Sequence, residues 1–153
     1  MNASMSFDWT SLQSTVSNMN ANGSTNQTIG LAWAMQAQTA GLPLSAPTLP
    51  ANTSQYIILV SDGLNTQNRW TGDGSNHDSG VDARMALACT NAKSAGFIVY
   101  TIFVDLAGTQ GNSSVLQNCA SDSSKYFDLT TSGAIITTLN AIGTQITNMR
   151  VSQ

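Results

Sequence analysis

The sequence predicts an α/β fold in which helices cover a mostly parallel sheet. Residues 56–60 (YIILV) and 97–104 (FIVYTIFV) are continuous runs of strand length, rich in β-branched residues, as is typical of strands buried on both faces. A helical pattern separates the two runs, so the strand, helix, strand order implies a right-handed crossover. Residues 132–149 repeat apolar side chains at helical spacing. The full predicted order is α-α-β-α-β-α-β-α.

Length and composition limit the classes of protein that fit. A chain of 153 residues with 41% hydrophobic residues is expected to form one domain, residues 1–153, around one sizeable core. No apolar run approaches the roughly 18 residues that a membrane-spanning helix requires. Charged residues make up only 8%, against about 25% in typical soluble domains, which suits an extracytoplasmic or secreted surface. A net charge of −3 with five basic residues argues against nucleic acid as a partner, because that binding needs Lys and Arg at phosphates.

The first predicted helix starts at a cap supplied by Asp8 or Thr10 and ends at Asn22 and Gly23. Its apolar positions step by three, four and three residues, as on one face of a helix. These positions are Trp9, Leu12, Val16 and Met19. We expect Trp9 to lie in the core.

The second predicted helix covers residues 29–38 and stops at Gly41 and Pro43. One face carries Ile29, Ala32, Trp33 and Gln36. We expect this face, including Trp33, to pack against the core. Residues 42–54 contain all three prolines and no periodicity, so they form a connecting loop before the first strand.

A third helix follows the polar, glycine-rich segment 63–80, and Gly96 is its natural C′ residue. Its apolar positions are Val81, Met85, Ala88 and Ala92. The second strand then ends before an acid, Asp105, as the first strand ends close to Asp62. The same end of both strands therefore carries a carboxylate.

The C-terminal part of the chain completes the pattern. A short helix is predicted at residues 113–120 (SSVLQNCA) and a third strand at 125–129 (KYFDL). The last helix begins with a cap at Ser132. Its apolar positions are Ile135, Leu139, Ile142, Ile146 and Met149. No internal repeat and no domain boundary is visible.

Polar residues cluster where the first strand is predicted to end. In open parallel sheets, ligands bind outside the carboxyl ends of the strands, which is where Asp62 and Gly63 lie. Taken alone, this Asp-Gly pair is typical of a turn. Thr25 and Thr28, however, precede the second helix, from where a hydroxyl can reach the same edge. Hydroxyls with one or two carboxylates form a plausible shell for Mg²⁺, which keeps several waters.

The stretches STNQTIGLAW and IILVSDGLNT resemble the von Willebrand factor A domain. That family has a three-layer, Rossmann-like fold. Its metal-ion-dependent adhesion site combines a D-x-S-x-S loop, a threonine and the aspartate of a D-G turn. The resemblance implies that Thr25 is the metal threonine and Asp62 the later metal aspartate, with Mg²⁺ or another divalent cation as the cofactor of the full-length protein.

More narrowly, the chain resembles the A-domain region of bacterial tight-adherence (Flp) pilus-assembly proteins of the TadG type. The matching stretches span roughly residues 8 to 151. They are GSTNQTIGLAW, SDGLNTQNRW, VDAR, NAKSAGFIVYTIFV, LQNCAS and ITNMRVS. The resemblance implies an extracytoplasmic domain, periplasmic or on the cell surface, that is tethered to the membrane in its full-length parent.

The chain departs from the family at the D-x-S-x-S loop. Residues 2–6 (NASMS) mimic its spacing, but only 18 residues lie between Ser6 and Thr25, too few for the elements that the family places there. We therefore expect a truncated domain that lacks the N-terminal strands, with a membrane anchor, the first strand and its metal loop ahead of Met1. Such a chain would bind Mg²⁺ weakly or not at all. It would also expose the edge of Tyr56–Val60, which invites self-association.

Two cysteines, Cys89 and Cys119, are the complete thiol inventory. From the sequence they are either buried free thiols or a disulfide, which the charge-poor composition favours because such bonds persist in oxidising compartments. The family resemblance implies that they pair. Neither has a CxxC partner, which argues against zinc and thioredoxin-like chemistry.

The polar segment after Asp62 holds the remaining candidates. His77 is the only histidine, and no G-x-S-x-G elbow accompanies it. Three acids near it miss the EF-hand spacing, which favours a solvated loop over a Ca²⁺ site. They are Asp73, Asp78 and Asp82. Asn65, Arg69 and Trp70 lie close to the ligand face in sequence, and we expect them to contact a protein partner.

These features favour a non-enzymatic adhesion or assembly module of a bacterial tight-adherence pilus system, which binds a protein partner through the carboxyl ends of its strands. Two alternatives stay open at the level of sequence. One is a metal-assisted hydrolase that uses the same edge, although no base near Asp62 is evident. The other is a purely structural domain of a larger envelope protein.

Overall fold

The computed structural model describes residues 6–20, 22–44 and 46–151, so the NASMS mimic lies outside it except for Ser6. All eight predicted elements are present in the predicted order. They are α1 (Trp9–Ser17), α2 (Gln27–Gln38), β1 (Tyr56–Ser61), α3 (Ser79–Ser94), β2 (Ile98–Val104), α4 (Ser114–Cys119), β3 (Tyr126–Leu129) and α5 (Ser132–Val151). A short 3₁₀ turn, Ser123–Lys125, precedes β3.

The three strands form one parallel sheet in the order β1-β2-β3. Tyr56 is paired in register with Ile98, and Thr101 with Tyr126. Because all strands run in one direction, their carboxyl ends meet at one edge of the sheet, as the sequence predicts. The α/β fold with a parallel sheet is confirmed.

One face of the sheet packs against α2, α3 and α4. This core includes Leu31, Ile57, Met85, Val99, Phe103 and Leu116. The disulfide between Cys89 and Cys119 lies within it, joining α3 to α4, with both residues almost fully buried. The sequence left free thiols and a disulfide open, and the disulfide is the correct alternative.

The opposite face packs against α5. Its buried residues are Tyr100, Ile102, Val104, Leu129 and Ile142. These come from β2, β3 and α5. On this face the helix therefore packs over β2 and β3 and leaves part of β1 uncovered. On β1, Ile58 and Val60 stay 40% and 50% exposed. The expectation that this strand is buried on both faces is therefore wrong.

The N-terminal helix begins as predicted but does not enter the core. Asp8 caps α1 by accepting a hydrogen bond from the Ser11 N–H at 2.9 Å, and this settles the choice between Asp8 and Thr10. The helix ends at Ser17, earlier than predicted, with Asn18 as its C-cap. Trp9 is 73% exposed and no residue of α1 is buried, so its expected place in the core is wrong.

The second helix presents a different face from the predicted one. Leu31 is fully buried, and Ala34 and Met35 pack against the same core. Ile29 and Trp33 lie on the exposed side, at 57% and 37%. Apolar residues occur on both sides of α2, so its periodicity does not identify the inner face.

The third helix ends as the sequence predicts. Gly96 has φ +90°, a conformation that glycine adopts without steric cost. Its N–H donates to the Lys93 carbonyl, and the Phe97 N–H donates to the Ala92 carbonyl, which closes the helix with the pattern of a Schellman motif. This turn leads directly into β2. Across the described residues, no helix has the length and apolar character needed to span a bilayer.

Candidate functional site

A cavity of about 750 Å³ opens at the carboxyl ends of β1 and β2. Thr25 and Asp62, which the sequence predicts at this edge, both line it, whereas Thr28, the other predicted hydroxyl, does not. So do Asp105 and Gln110, from the loop after β2. The structure therefore brings together the threonine before α2, the aspartate after β1 and the second strand-end acid.

The loop that carries Thr25 is fastened to the segment after β1. The Thr25 carbonyl accepts hydrogen bonds from the backbone N–H groups of Thr66 and Gln67 at 3.0 and 3.3 Å, and its own N–H donates to the Thr66 hydroxyl at 3.0 Å. A side chain at Gly63 would place its Cβ 3.3 Å from Thr25 Oγ1. The two loops thus approach closely, and glycine at this position permits it.

Gln110 holds the Asp-Gly turn from the other side. Its Nε2 donates to the Asp62 carbonyl at 2.9 Å, and its Oε1 accepts from the Leu64 N–H at 3.2 Å. Its backbone N–H donates to Asp105 Oδ2 at 2.8 Å. The sequence offers no periodic or motif signal for this role of Gln110, since the bonds cross more than 40 residues.

Asp105 serves mainly to order its own loop. The hydrogen bond from the Gln110 N–H lowers the pKa of Asp105 below its usual value, while desolvation opposes the shift. The residue is only 6% exposed. An ionised carboxylate of lowered basicity makes a weak general base at neutral pH.

Asn65 is fully buried, which corrects the expectation that it contacts a partner. Its Oδ1 accepts from the Gln27 N–H at 2.8 Å, and its Nδ2 donates to Asp82 Oδ1 at 2.8 Å. Gln27 in turn donates through Nε2 to the Gly63 carbonyl at 2.7 Å. Asn65 therefore positions the site from inside the protein.

The acids of the polar segment have structural partners. Asp73 accepts hydrogen bonds from the Ser75 and Asn76 N–H groups, both at 2.8 Å, and these bonds lower the pKa of Asp73 to about 2. Asp78 caps α3 by accepting from the Val81 N–H. Asp73 therefore orders a turn of the polar segment and Asp78 caps a helix, so hydrogen bonds within the loop account for both acids.

His77 contacts one of these acids. Its Nε2 lies 2.7 Å from Asp82 Oδ2, and Asp82 is the same residue that accepts from Asn65. The histidine is not among the residues that line the carboxyl-end cavity. It therefore belongs to the loop network, away from Asp62.

Trp70 and Arg69 do lie at the surface. Trp70 is 69% exposed, and its ring is approached by the guanidinium groups of Arg84 at 4.5 Å and Arg69 at 5.9 Å from the centroid. Asn68 orders the backbone here by accepting from the Trp70 N–H at 2.7 Å. Arg84, on α3, was not predicted, because its proximity to Trp70 depends on the tertiary fold.

The described residues supply part of a divalent-cation shell at the cavity. Thr25 offers a hydroxyl and Asp62 a carboxylate, whereas Mg²⁺ takes octahedral oxygen coordination. Within the described ranges, no group of three or more His, Cys, Asp or Glu residues could hold a metal. The described residues therefore do not complete a metal site by themselves.

Comparison with known proteins identifies the fold class. No protein-family profile matches the chain, and no curated protein matches it. Two solved structures of proximal thread matrix protein 1 from the mussel byssus match with a TM-score of 0.51, at 20% and 19% identity, over 80% of this chain. One of them is described with a zinc-occupied MIDAS motif.

The likeness defines a von Willebrand factor A-like α/β fold. The chain spans about a quarter of the length of the byssus structures, 25% in each case. At this level of identity the match establishes the fold alone.

Proposed function

We propose that this chain is a non-enzymatic adhesion or assembly module of a bacterial tight-adherence (Flp) pilus system. It binds a protein partner through the carboxyl ends of β1 and β2. The observation that carries the proposal is the open cavity of about 750 Å³ at this edge. Leu106 lies on its wall with 58% of its surface exposed, beside the exposed Asp62.

The chemistry of the cavity supports binding over hydrolysis. A hydrolase needs a base positioned to activate water. The acids that line the cavity are Asp62 and Asp105, and Asp105 is held as a weak base by the Gln110 N–H. The lining of this cavity, over the described part of the chain, includes no histidine, cysteine or lysine.

An extracytoplasmic location accompanies this function. The disulfide joins α3 and α4 inside the larger core, and such bonds persist in oxidising compartments. The low content of charged residues, 8%, agrees with a secreted or periplasmic surface. In the full-length parent a membrane anchor would tether the domain.

The edge of β1 is a second proposed interaction surface, through which the module pairs with another chain. β1 is one of the two outer strands of the described sheet. Ile58 and Val60, the second of which also lines the carboxyl-end cavity, leave an apolar strip on the side that α5 does not cover. An edge strand with apolar side chains is a template for pairing with another chain. Self-association through this strip is part of the proposal.

The proposal is tested by placing a charge on the carboxyl-end face. In a bacterium whose pilus system contains this chain, Leu106→Arg should abolish piliation. A charged guanidinium on the cavity wall would disrupt an apolar contact between Leu106 and the partner. Leu87 on α3 is similarly exposed, at 68%, so Leu87→Arg is the matched control and should leave pili intact. Normal piliation by Leu106→Arg, at wild-type protein level, would contradict the proposal.

A further inference from the structure

One part of the sheet lacks a covering helix. Ile58 and Val60, which we call the β1 strip, point to the same face as α5, because alternate residues of a strand share a face and Tyr56 packs in the α5-side core. They stay 40% and 50% exposed. The strip borders α5, since Ile135 lines the carboxyl-end cavity together with Val60. One turn later on the same side of α5, Leu139 is 40% exposed.

The N-terminal helix carries an apolar stripe that stays exposed. No residue of α1 is buried, and Trp9 and Val16 are 73% and 64% exposed. Leu12 lies between them at helical spacing. The helix has nine residues, whereas isolated helices shorter than roughly 12–15 residues are marginal in water and gain most of their stability by packing an amphipathic face. α1 therefore depends on a surface that receives its stripe.

We propose that α1 of one copy of this chain packs on the β1 strip of a second copy, beside α5, and that the second copy returns the same contact. Each chain carries one stripe and one strip. Both are exposed in the same molecule, so they are not packed on each other. Reciprocal exchange buries both and extends the layer of helices over β1. This inference rests on the proposed self-association, since it names the surface that contacts the β1 strip.

Pairing of two β1 edges does not cover the strip. Such pairing joins backbone groups along the edge and extends the sheet. Side chains project from the faces of a sheet, so Ile58 and Val60 would stay exposed in both chains. A helix laid on the face buries them, as α5 buries Ile102 and Val104 on the neighbouring strand.

The buried area suits a reciprocal, reversible dimer. A tryptophan buries roughly 150–250 Å², and two copies of the contact between the α1 stripe and the β1 strip remove on the order of 1,000 Å² of apolar surface from water. Specific interfaces bury roughly 1,200–2,000 Å² in total. With its polar rim, the exchanged dimer reaches the lower end of this range. A single, one-way contact has half the area and falls below it.

Disulfide trapping tests the contact. Val16→Cys and Ile58→Cys are placed in separate chains with tags of different size and mixed under mild oxidation. The two native cysteines are already paired with each other. A seated helix raises the local thiol concentration to about the millimolar range, so Val16→Cys should form at least about fivefold more mixed disulfide with Ile58→Cys than with Leu87→Cys. Leu87 is an exposed position on α3, and equal yields with the two partners would overturn the proposal.

The double variant Val16→Cys with Ile58→Cys separates exchange from folding back within one chain. Its disulfide should join two chains, and the yield should rise with protein concentration. A disulfide that closes within one chain at every concentration, together with no mixed disulfide between the single variants, would place α1 on its own strip and overturn the exchange.

Charges on opposite sides of α1 provide a matched pair of variants. Val16 and Ser14 are both exposed, and two residues of separation turn them about 200° from each other around the helix. In sedimentation velocity, Val16→Lys should be a monomer, whereas Ser14→Lys should associate like wild type. Equal association of the two variants would contradict a role of the stripe.

The outcomes are distinguishable from failure of the proposed function. Association lost in Val60→Lys but retained in Val16→Lys rejects the α1 contact and leaves self-association through β1 in place. A monomeric wild type, with piliation lost in Leu106→Arg, rejects the exchange and the self-association and leaves the carboxyl-end face as the partner site. Trapped exchange, with normal piliation in Leu106→Arg, rejects the role of that face instead.

Discussion

Asn65 Oδ1 accepts a hydrogen bond from the backbone N–H of Gln27 at 2.8 Å, joining the loop after β1 to the first turn of α2. The bond spans 38 residues and both partners are buried, at 0% and 5% exposure. Through Gln27 Nε2 it continues to the Gly63 carbonyl. The position of the Asp-Gly turn at the cavity therefore depends on a fully buried residue.

Asn65→Ala should lower the free energy of unfolding by about 2–3 kcal/mol, because it leaves the buried Gln27 N–H without its acceptor and removes the hydrogen bond that Asp82 accepts from Asn65. Urea unfolding followed by circular dichroism measures the change. Asn112 is an exposed asparagine, and Asn112→Ala should stay within about 0.5 kcal/mol of wild type. Similar small effects for both variants would contradict the role assigned to Asn65.

Removing the disulfide should destabilise the fold strongly. The bond closes a separation of 30 residues, for which the loop-entropy model gives about 3–4 kcal/mol. The double substitution Cys89→Ala and Cys119→Ala should lower the midpoint of urea unfolding accordingly. Treatment with dithiothreitol should shift the wild-type midpoint downward and leave that of the double variant unchanged. If complete reduction left the wild-type midpoint unchanged, the stabilising role of the disulfide would be contradicted.

Lowering the pH should destabilise the turn around Asp73. Backbone and side-chain hydrogen bonds from Asn76, with a further bond from Ser75, lower the pKa of Asp73 from 3.8 to about 2. Since the folded-state pKa lies below the unfolded value, the contribution is full above about pH 4 and is lost as pH falls to about 2. Carbon-detected NMR titration should give a midpoint near 2, and Asp73→Asn should flatten the stability profile in this range. A midpoint near 3.8 would contradict the lowered pKa of Asp73.

Charge on the β1 strip should abolish self-association. Val60 is 50% exposed beside the outer edge of the sheet, so Val60→Lys places an ammonium group where another chain would pair. Sedimentation velocity should show concentration-dependent association of wild type and a monomer for Val60→Lys. Leu87→Lys is the control and should associate like wild type. A wild type that is strictly monomeric at all concentrations tested would contradict self-association through the β1 strip.

The regular part of the fold was predictable from local signals. Continuous β-branched runs identify β1 and β2, and the apolar spacing that ends at Met149 identifies α5. The inner face of α2 was not predictable, because Leu31 and Trp33 on different sides are both apolar. The exposure of Ile58 also depends on where α5 packs, which the sequence of β1 does not encode.

The candidate site was predictable in part. Thr25 and Asp62 were expected at one edge, and both line the cavity there. Asn65 and Gln110 act through hydrogen bonds across 38 to 48 residues, and polar residues in glycine-rich loops carry no periodic signal. The pairing of Arg84 with Trp70 likewise arises only when α3 packs beside the loop after β1.

The most direct test of the proposed function is photo-crosslinking in cells that assemble the pilus. p-Benzoylphenylalanine replaces Leu106 on the carboxyl-end face or, as the matched control, Leu87 on α3, exposed by 58% and 68% in wild type. Mass spectrometry identifies the crosslinked protein. We predict that position 106 crosslinks to a tight-adherence pilus protein and that position 87 does not. Crosslinks to the same protein from position 87 alone, or from neither position in piliated cells, would contradict binding through the carboxyl ends of the strands.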